Sequence, residues 1–126
     1  MVKKHRILII DDSKVTVAGL KAYLGKKYHI LTAHNGRDGI QKFSKNKFRI
    51  HLVITDIVMA DVSGLALIAM IKKKSPEIPV IAITGWGYHH RSLGTKANAD
   101  MVLDKPFEME ELDRAVEKLL SEIHTK

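Results

Sequence analysis

The sequence predicts an α/β fold, a five-stranded parallel sheet with helices filling the gaps between strands, and three observations predict it. Short apolar runs alternate five times with stretches of helical periodicity. The runs Ile7-Leu8-Ile9-Ile10 and Leu52-Val53-Ile54 have no alternating polar partners, which is the pattern of strands buried on both faces. Finally, the first run ends in Asp11-Asp12 and the third in Asp56, so a parallel sheet gathers three carboxylates at one edge. In open α/β sheets, ligands bind at that edge.

Strands are expected near 6–10, 29–33, 51–55, 79–84 and 100–104. Ser13 is the expected N-cap of a first helix reaching about Leu24, with Thr16, Leu20, Tyr23 and Leu24 on one face and Gly25 ending it. Asn35-Gly36 turns the chain into a second helix whose inward face is Ile40 and Phe43. Ser63-Gly64 opens a third helix carrying Leu65, Ile68 and Ile71, which closes on Lys72-Lys73-Lys74, cations favoured by the helix dipole. Pro76 and Pro79 bracket a tight connection to the fourth strand, which ends in Thr84. Gly85-Trp86-Gly87 leaves room at the sheet edge for a bound group. Tyr88 to Asn98 has only Leu93 and Ala97 as core contacts, so a helix there is marginal. The last helix is the clearest, with Leu112, Val116, Leu119, Leu120 and Ile123 on its buried stripe.

At 126 residues the chain is expected to be a single domain. It has no cysteine, which excludes disulfides and thiolate metal sites. No segment approaches eighteen uninterrupted apolar residues and the basic start lacks a signal-peptide apolar region, so a soluble, cytoplasmic protein with no membrane partner is expected. The formal charge is +7, with lysines and arginines read as spread along the chain. An acidic protein partner is the expected use of that surplus, and nucleic acid is not expected for this domain alone. His89-His90 are neighbours that would not face one way on a helix, and are read as surface residues.

The strand ends carry the chemistry. Asp11 and Asp12 close the first strand, Asp56 the third, Thr84 the fourth, and Lys105 follows the fifth. Three close carboxylates raise a pKa or hold a metal, and an all-oxygen site selects a hard ion such as Mg²⁺. An ion, an ammonium and a hydroxyl facing one carboxylate make a cradle for a phosphoryl group, with Asp56 as the nucleophile.

The motifs Ile-Ile-Asp11-Asp12-Ser13, Ile-Thr-Asp56-Ile-Val-Met59 with Gly64 eight residues beyond the aspartate, Ile-Thr84-Gly85 and Asp-Lys105-Pro106-Phe107 resemble those of the response-regulator receiver family of two-component signalling. The resemblance spans about residues 5–123, with the length and layout of the family's stand-alone chemotaxis members. It implies a flavodoxin-like (βα)5 doubly wound parallel sheet of strand order 2-1-3-4-5. It further implies that Asp11, Asp12, Asp56 and the Val58 carbonyl bind Mg²⁺, and that Asp56 accepts phosphate from a sensor histidine kinase or phosphotransfer protein. Lys105 and an inward-swinging Thr84 would bond the phosphoryl oxygens, and Lys105-Pro106 would be a cis peptide. Phosphorylation would remodel the face of the fourth helix, fifth strand and last helix, to bind a protein target or to form a dimer. The implied role is a phosphoacceptor, not an enzyme beyond self-catalysed transfer and dephosphorylation, with no effector domain in the sequence.

The resemblance breaks at three places. Val102 stands where an aromatic switch residue is usual, and Ala60 where a proline commonly follows the methionine. Val58 and Trp86 flank the site where the family tunes dephosphorylation; neither side chain positions an attacking water, which predicts a long-lived phosphorylated state. Two other readings compete. A receiver-like scaffold would bind a partner or nucleic acid without phosphorylation. A Mg²⁺-dependent phosphohydrolase would need a second acid two residues after its nucleophile, where this chain has Val58 or Ser13.

Overall fold

The computed structural model describes residues 4–46, 48–85 and 98–124, with side chains described as far as Glu122. Five strands, β1 (Arg6–Ile10), β2 (His29–Ala33), β3 (Leu52–Asp56), β4 (Val80–Thr84) and β5 (Met101–Asp104), form one parallel sheet in the order β2-β1-β3-β4-β5. Four helices accompany them among the described residues: α1 (Lys14–Leu24), α2 (Gly36–Asn46), α3 (Gly64–Lys74) and α4 (Met109–His124). The expected helix from Tyr88 to Asn98 lies outside the described residues except for Asn98 itself, as do Trp86 and His89-His90.

Continuous apolar runs follow from a sheet covered on both sides, because successive side chains point to opposite faces. Ile7, Ile9, Leu52, Ile54, Ile81, Ile83 and Leu103 pack with Leu20 and Leu24 of α1 and Leu112, Val116 and Leu119 of α4. Their neighbours Leu8, Ile10, Val53, Val80, Ala82 and Val102 pack on the other side with Phe43 of α2 and Leu67, Ile68 and Ile71 of α3. A fully buried side chain of this size contributes about 1.5–3 kcal/mol. Ile7 to Ile10 are all fully buried, so β1 contributes two side chains to each core.

The helix faces differ in detail from the expected ones. Val17, not Thr16, joins Leu20 and Leu24 on the buried stripe of α1, a spacing of three and four that keeps the hydroxyl of Thr16 at the cap, bonded to Ser13. In α3, Leu67 is buried and Leu65 only partly so, since Leu65 sits in the first turn beside the capping Ser63. Three strands begin one residue later than expected. Pro79 has no N–H to donate to a ladder, and Asp100 turns its carboxylate back to accept the Val80 N–H at 2.7 Å. At β3, the His51 side chain accepts the Arg6 N–H through Nδ1, at 2.9 Å.

Two polar devices fix the loops. Lys72, expected only as a dipole cation, donates to the carbonyls of Pro76 and Ile78 and to Asp100, tying the end of α3 to the start of β5. The start of α2 is capped twice: Asn35 accepts the Asp38 N–H, and Asp61 from the β3–α3 loop accepts the N–H groups of Gly36 and Arg37. These bonds to the ionised form hold the Asp61 carboxyl below the usual carboxylate range. They also anchor the loop that Ala60 leaves without a proline.

Candidate functional site

The C-terminal sheet edge holds the site. The ladder continues one residue past three strands: Asp11 N–H donates to Ala33, Ile57 N–H to Ile83 and Lys105 N–H to the Thr84 carbonyl. Each continuation carries a functional side chain, or its neighbour, to a fixed height above the sheet. Asp11 is buried, Asp56 is 7% exposed, and the carboxylate oxygens of Asp11, Asp12 and Asp56 lie within 4.8 Å of one another. Asp12 is the exposed member. Lys105 Nζ approaches Asp11 Oδ2 to 3.3 Å and Asp56 Oδ2 to 3.8 Å. The Lys105-Pro106 peptide is cis, as the resemblance implies.

Backbone groups orient the acids. Asp11 Oδ1 accepts the Ser13 N–H at 2.9 Å, while the Ser13 hydroxyl accepts the Thr16 N–H as the α1 cap. Ser13 therefore joins helix start to carboxylate. The Val58 N–H donates to Asp56 Oδ1 at 3.3 Å. Burial first, then the Asp11 charge, push the Asp56 carboxyl above the usual carboxylate range, with Asp12 adding to the push. Lys105 and the Val58 N–H pull it back, but less strongly.

A cavity of about 230 Å³ opens over Asp11, Asp12, Asp56 and Lys105, with Ser13, Val58 and Gly85 completing its wall. Among the described residues, a methyl group at Gly85 would meet only the Lys105 stem, at 3.8 Å. Thr84 does not line this cavity. It is fully buried, and its hydroxyl has no hydrogen-bond partner among the described residues. An unpaired buried hydroxyl costs about 1–3 kcal/mol, so a nearby acceptor would stabilise it. Val102, at the usual aromatic position, is buried on the α3 face opposite Ala82 in the sheet register.

The donor set suits a hard divalent cation. Among the described residues three clustered carboxylates face one ammonium, leaving net negative charge in a partly desolvated place with oxygen ligands only. Sequence reasoning passed over two positioning residues, Ser13 as an orienting donor and Gly64 as a packing requirement. The Asp-Asp-Ser spacing of an Asx turn signals the first. No local signal gives the second, because its neighbours come from β3.

A family profile described as response regulator receiver domain matches residues 7–117. The transcriptional regulatory protein RprY of Bacteroides fragilis is 33% identical over 128 residues, covering 100% of this chain and 53% of that protein. The transcriptional regulatory protein ZraR of Escherichia coli is 31% identical, covering 94% of this chain and 27% of that protein. The chain thus spans about half of one relative and about a quarter of the other. Among solved structures, a response regulator receiver domain protein from Clostridium thermocellum superposes with a TM-score of 0.89 at 32% identity, covering 94% of this chain and 95% of that one. The profile, the relatives and the shared sheet order agree, and the chain belongs to the response-regulator receiver domain family of two-component signalling.

Proposed function

We propose that Asp56 is the phosphoacceptor of this receiver, and that its phosphorylation changes the surface offered to a protein target. The observation that carries the reading is the cluster itself: three carboxylates within 4.8 Å, with the Lys105 ammonium reaching two of them beneath an open cavity.

The donor is a phosphohistidine on a sensor kinase or phosphotransfer protein. An Asp56 carboxylate oxygen forms the new P–O bond as the P–N bond breaks. The electron pair leaves with the imidazole nitrogen, which takes a proton. Asp11, Asp12, Asp56 and the Val58 carbonyl would hold Mg²⁺, which when bound supplies positive charge opposite the phosphoryl oxygens. Lys105 supplies a mobile ammonium, able to pass from the carboxylates to a phosphoryl oxygen. The Asp11 carboxylate, held by Ser13, keeps that ammonium over the cavity.

Thr84 is the switch element. Its hydroxyl lies buried beside the site with no partner among the described residues, and a phosphoryl oxygen on Asp56 would give it an acceptor. Such a differential contact is what shifts a two-state equilibrium. With Val102 at the usual aromatic position, the movement of Thr84 would not be coupled to an aromatic rotamer. A cytoplasmic location and action without catalytic turnover on other substrates complete the reading; among the described residues no helix is long and apolar enough to cross a membrane.

The test is transfer of radiolabel from a phosphorylated kinase or phosphotransfer protein to this chain with Mg²⁺ present. Label should reach the wild type and not Asp56→Asn. Equal labelling of both would remove Asp56 from the role.

A further inference from the structure

A second cleft lies at the other end of the sheet, where the strands begin. Its volume is about 760 Å³, and Lys4, Arg6 and Arg49 line it together with the imidazoles of His5, His29 and His51. No carboxylate is among its described lining residues. Phe48 completes the wall and is 93% exposed. A five-residue strand spans roughly 13 Å, so this cleft is separated from Asp56 by the length of β3.

The frame is rigid where the ladders meet it. The His29 N–H donates to the His5 carbonyl at 2.8 Å and the His51 N–H to the Arg6 carbonyl at 2.9 Å. The Arg6 N–H donates to His51 Nδ1, and the His5 and His51 rings meet edge to face at 4.9 Å. Backbone groups there are already paired with the sheet, which leaves recognition of a ligand to the cationic side chains of Lys4, Arg6 and Arg49.

Charge is concentrated in this half of the molecule. Residues 1–54 contain 12 Lys and Arg against 3 Asp and Glu, while residues 55–126 contain 9 against 11. The whole +7 surplus therefore comes from the part of the chain that builds β1, β2, α1 and α2, contrary to the even spread expected from the sequence. Such concentration focuses potential toward anions.

We infer that this cleft binds nucleotide phosphate, with Lys4, Arg6 and Arg49 on the phosphates and the exposed Phe48 ring stacking an unpaired base. Cations beside an aromatic ring are the shared requirement of free nucleotides and single strands. An acidic peptide would use the same cations but has no flat base for the exposed Phe48 ring to stack on, so the ring favours a nucleotide.

The test is fluorescence anisotropy of a labelled twelve-residue oligothymidylate with the full chain, competed by ATP, by duplex DNA and by polyglutamate. Binding should weaken with salt at a log–log slope of about −2, for three cations on a single strand. Phe48→Ala should lower affinity about 5- to 100-fold, the range for lost base stacking. Arg49→Glu should lower it at least about tenfold through charge reversal. Both residues are exposed, and labelling at Asp56 checks that each variant is folded. Asp56→Asn should bind like the wild type. Displacement of the oligothymidylate by ATP identifies a free-nucleotide site, and binding that neither ATP nor duplex DNA displaces identifies a single-strand site; either supports the inference. Absence of binding at 50 mM salt, wild-type affinity in Phe48→Ala and Arg49→Glu, or polyglutamate competing as well as the oligonucleotide would overturn it.

Discussion

Gly64 lies directly behind Asp56: a methyl group at position 64 would come within 2.1 Å of the Asp56 carbonyl oxygen and 2.6 Å of the Ile57 Cα. The obstacles are backbone atoms of the segment that carries Asp56, and the Gly64 N–H donates to the Ile57 carbonyl in the same contact. Gly64→Ala must therefore move the end of β3 or the start of α3. Overpacking of this kind costs about 1–3 kcal/mol, and displacing a nucleophile by an ångström costs about 100-fold in rate. The variant should remain folded in chemical denaturation while losing at least tenfold in phosphorylation rate. A wild-type rate would show that the close approach can relax without cost.

Burial and the Asp11 charge raise the Asp56 carboxyl. A raised folded-state value means that ionising Asp56 opposes folding, beginning near the unfolded value of about 3.9 and becoming complete above the folded one. Without metal, Asp56→Asn should therefore be more stable than the wild type at neutral pH, and the advantage should vanish as pH falls below about 4. Mg²⁺ should narrow the gap by stabilising only the wild type. Urea melts at several pH values read this directly, and a destabilised Asp56→Asn at pH 7 would contradict it.

Lys105 offsets part of the charge that the three acids accumulate. Lys105→Gln should bind Mg²⁺ more tightly, by about tenfold, since one unit charge at 4 Å and an intermediate dielectric exceeds 1.4 kcal/mol. Phosphoryl transfer should fall by at least tenfold, because a charged donor to the phosphoryl group is lost. Isothermal titration and labelling kinetics separate the two effects. Weaker Mg²⁺ binding in this variant would show that Lys105 organises the acids instead of competing with the ion.

Val58 stands 47% exposed at the cavity wall, and only its backbone N–H reaches Asp56. Its isopropyl group cannot hold a water for attack on an aspartyl phosphate. Val58→Asn adds an amide that could, and one such hydrogen bond corresponds to about a tenfold rate change. Loss of label from the isolated phosphoprotein should therefore speed up about tenfold in Val58→Asn, from a wild-type half-life well beyond seconds. A wild-type half-life of seconds would refute the slow turnover expected from this valine.

The five strands and the acid cluster were legible because each depends on a local pattern, whereas the order of the strands came from the family resemblance. An unbroken apolar run demands two covered faces, and an aspartate after such a run can only lie at the sheet edge. Boundaries were less legible where a side chain replaced a ladder partner, as Asp100 does for Val80 and His51 for Arg6. Contacts between segments distant in sequence left no local trace. Asp61 reads as a turn residue, yet it caps α2 across a separation of 25 residues, and Gly64 reads as a helix opener, although β3 is what requires it. The charge asymmetry was visible in the composition of the two halves but hidden by reading only the basic residues.

As the proposed phosphoacceptor, Asp56 should form an aspartyl phosphate in a Mg²⁺-dependent way. Incubation with acetyl phosphate and Mg²⁺, followed by intact mass, tests it with no partner protein. One phosphate should be gained, absent in Asp56→Asn and absent after chelation. No gain in a folded sample that binds Mg²⁺, or an undiminished gain in Asp56→Asn, would contradict it.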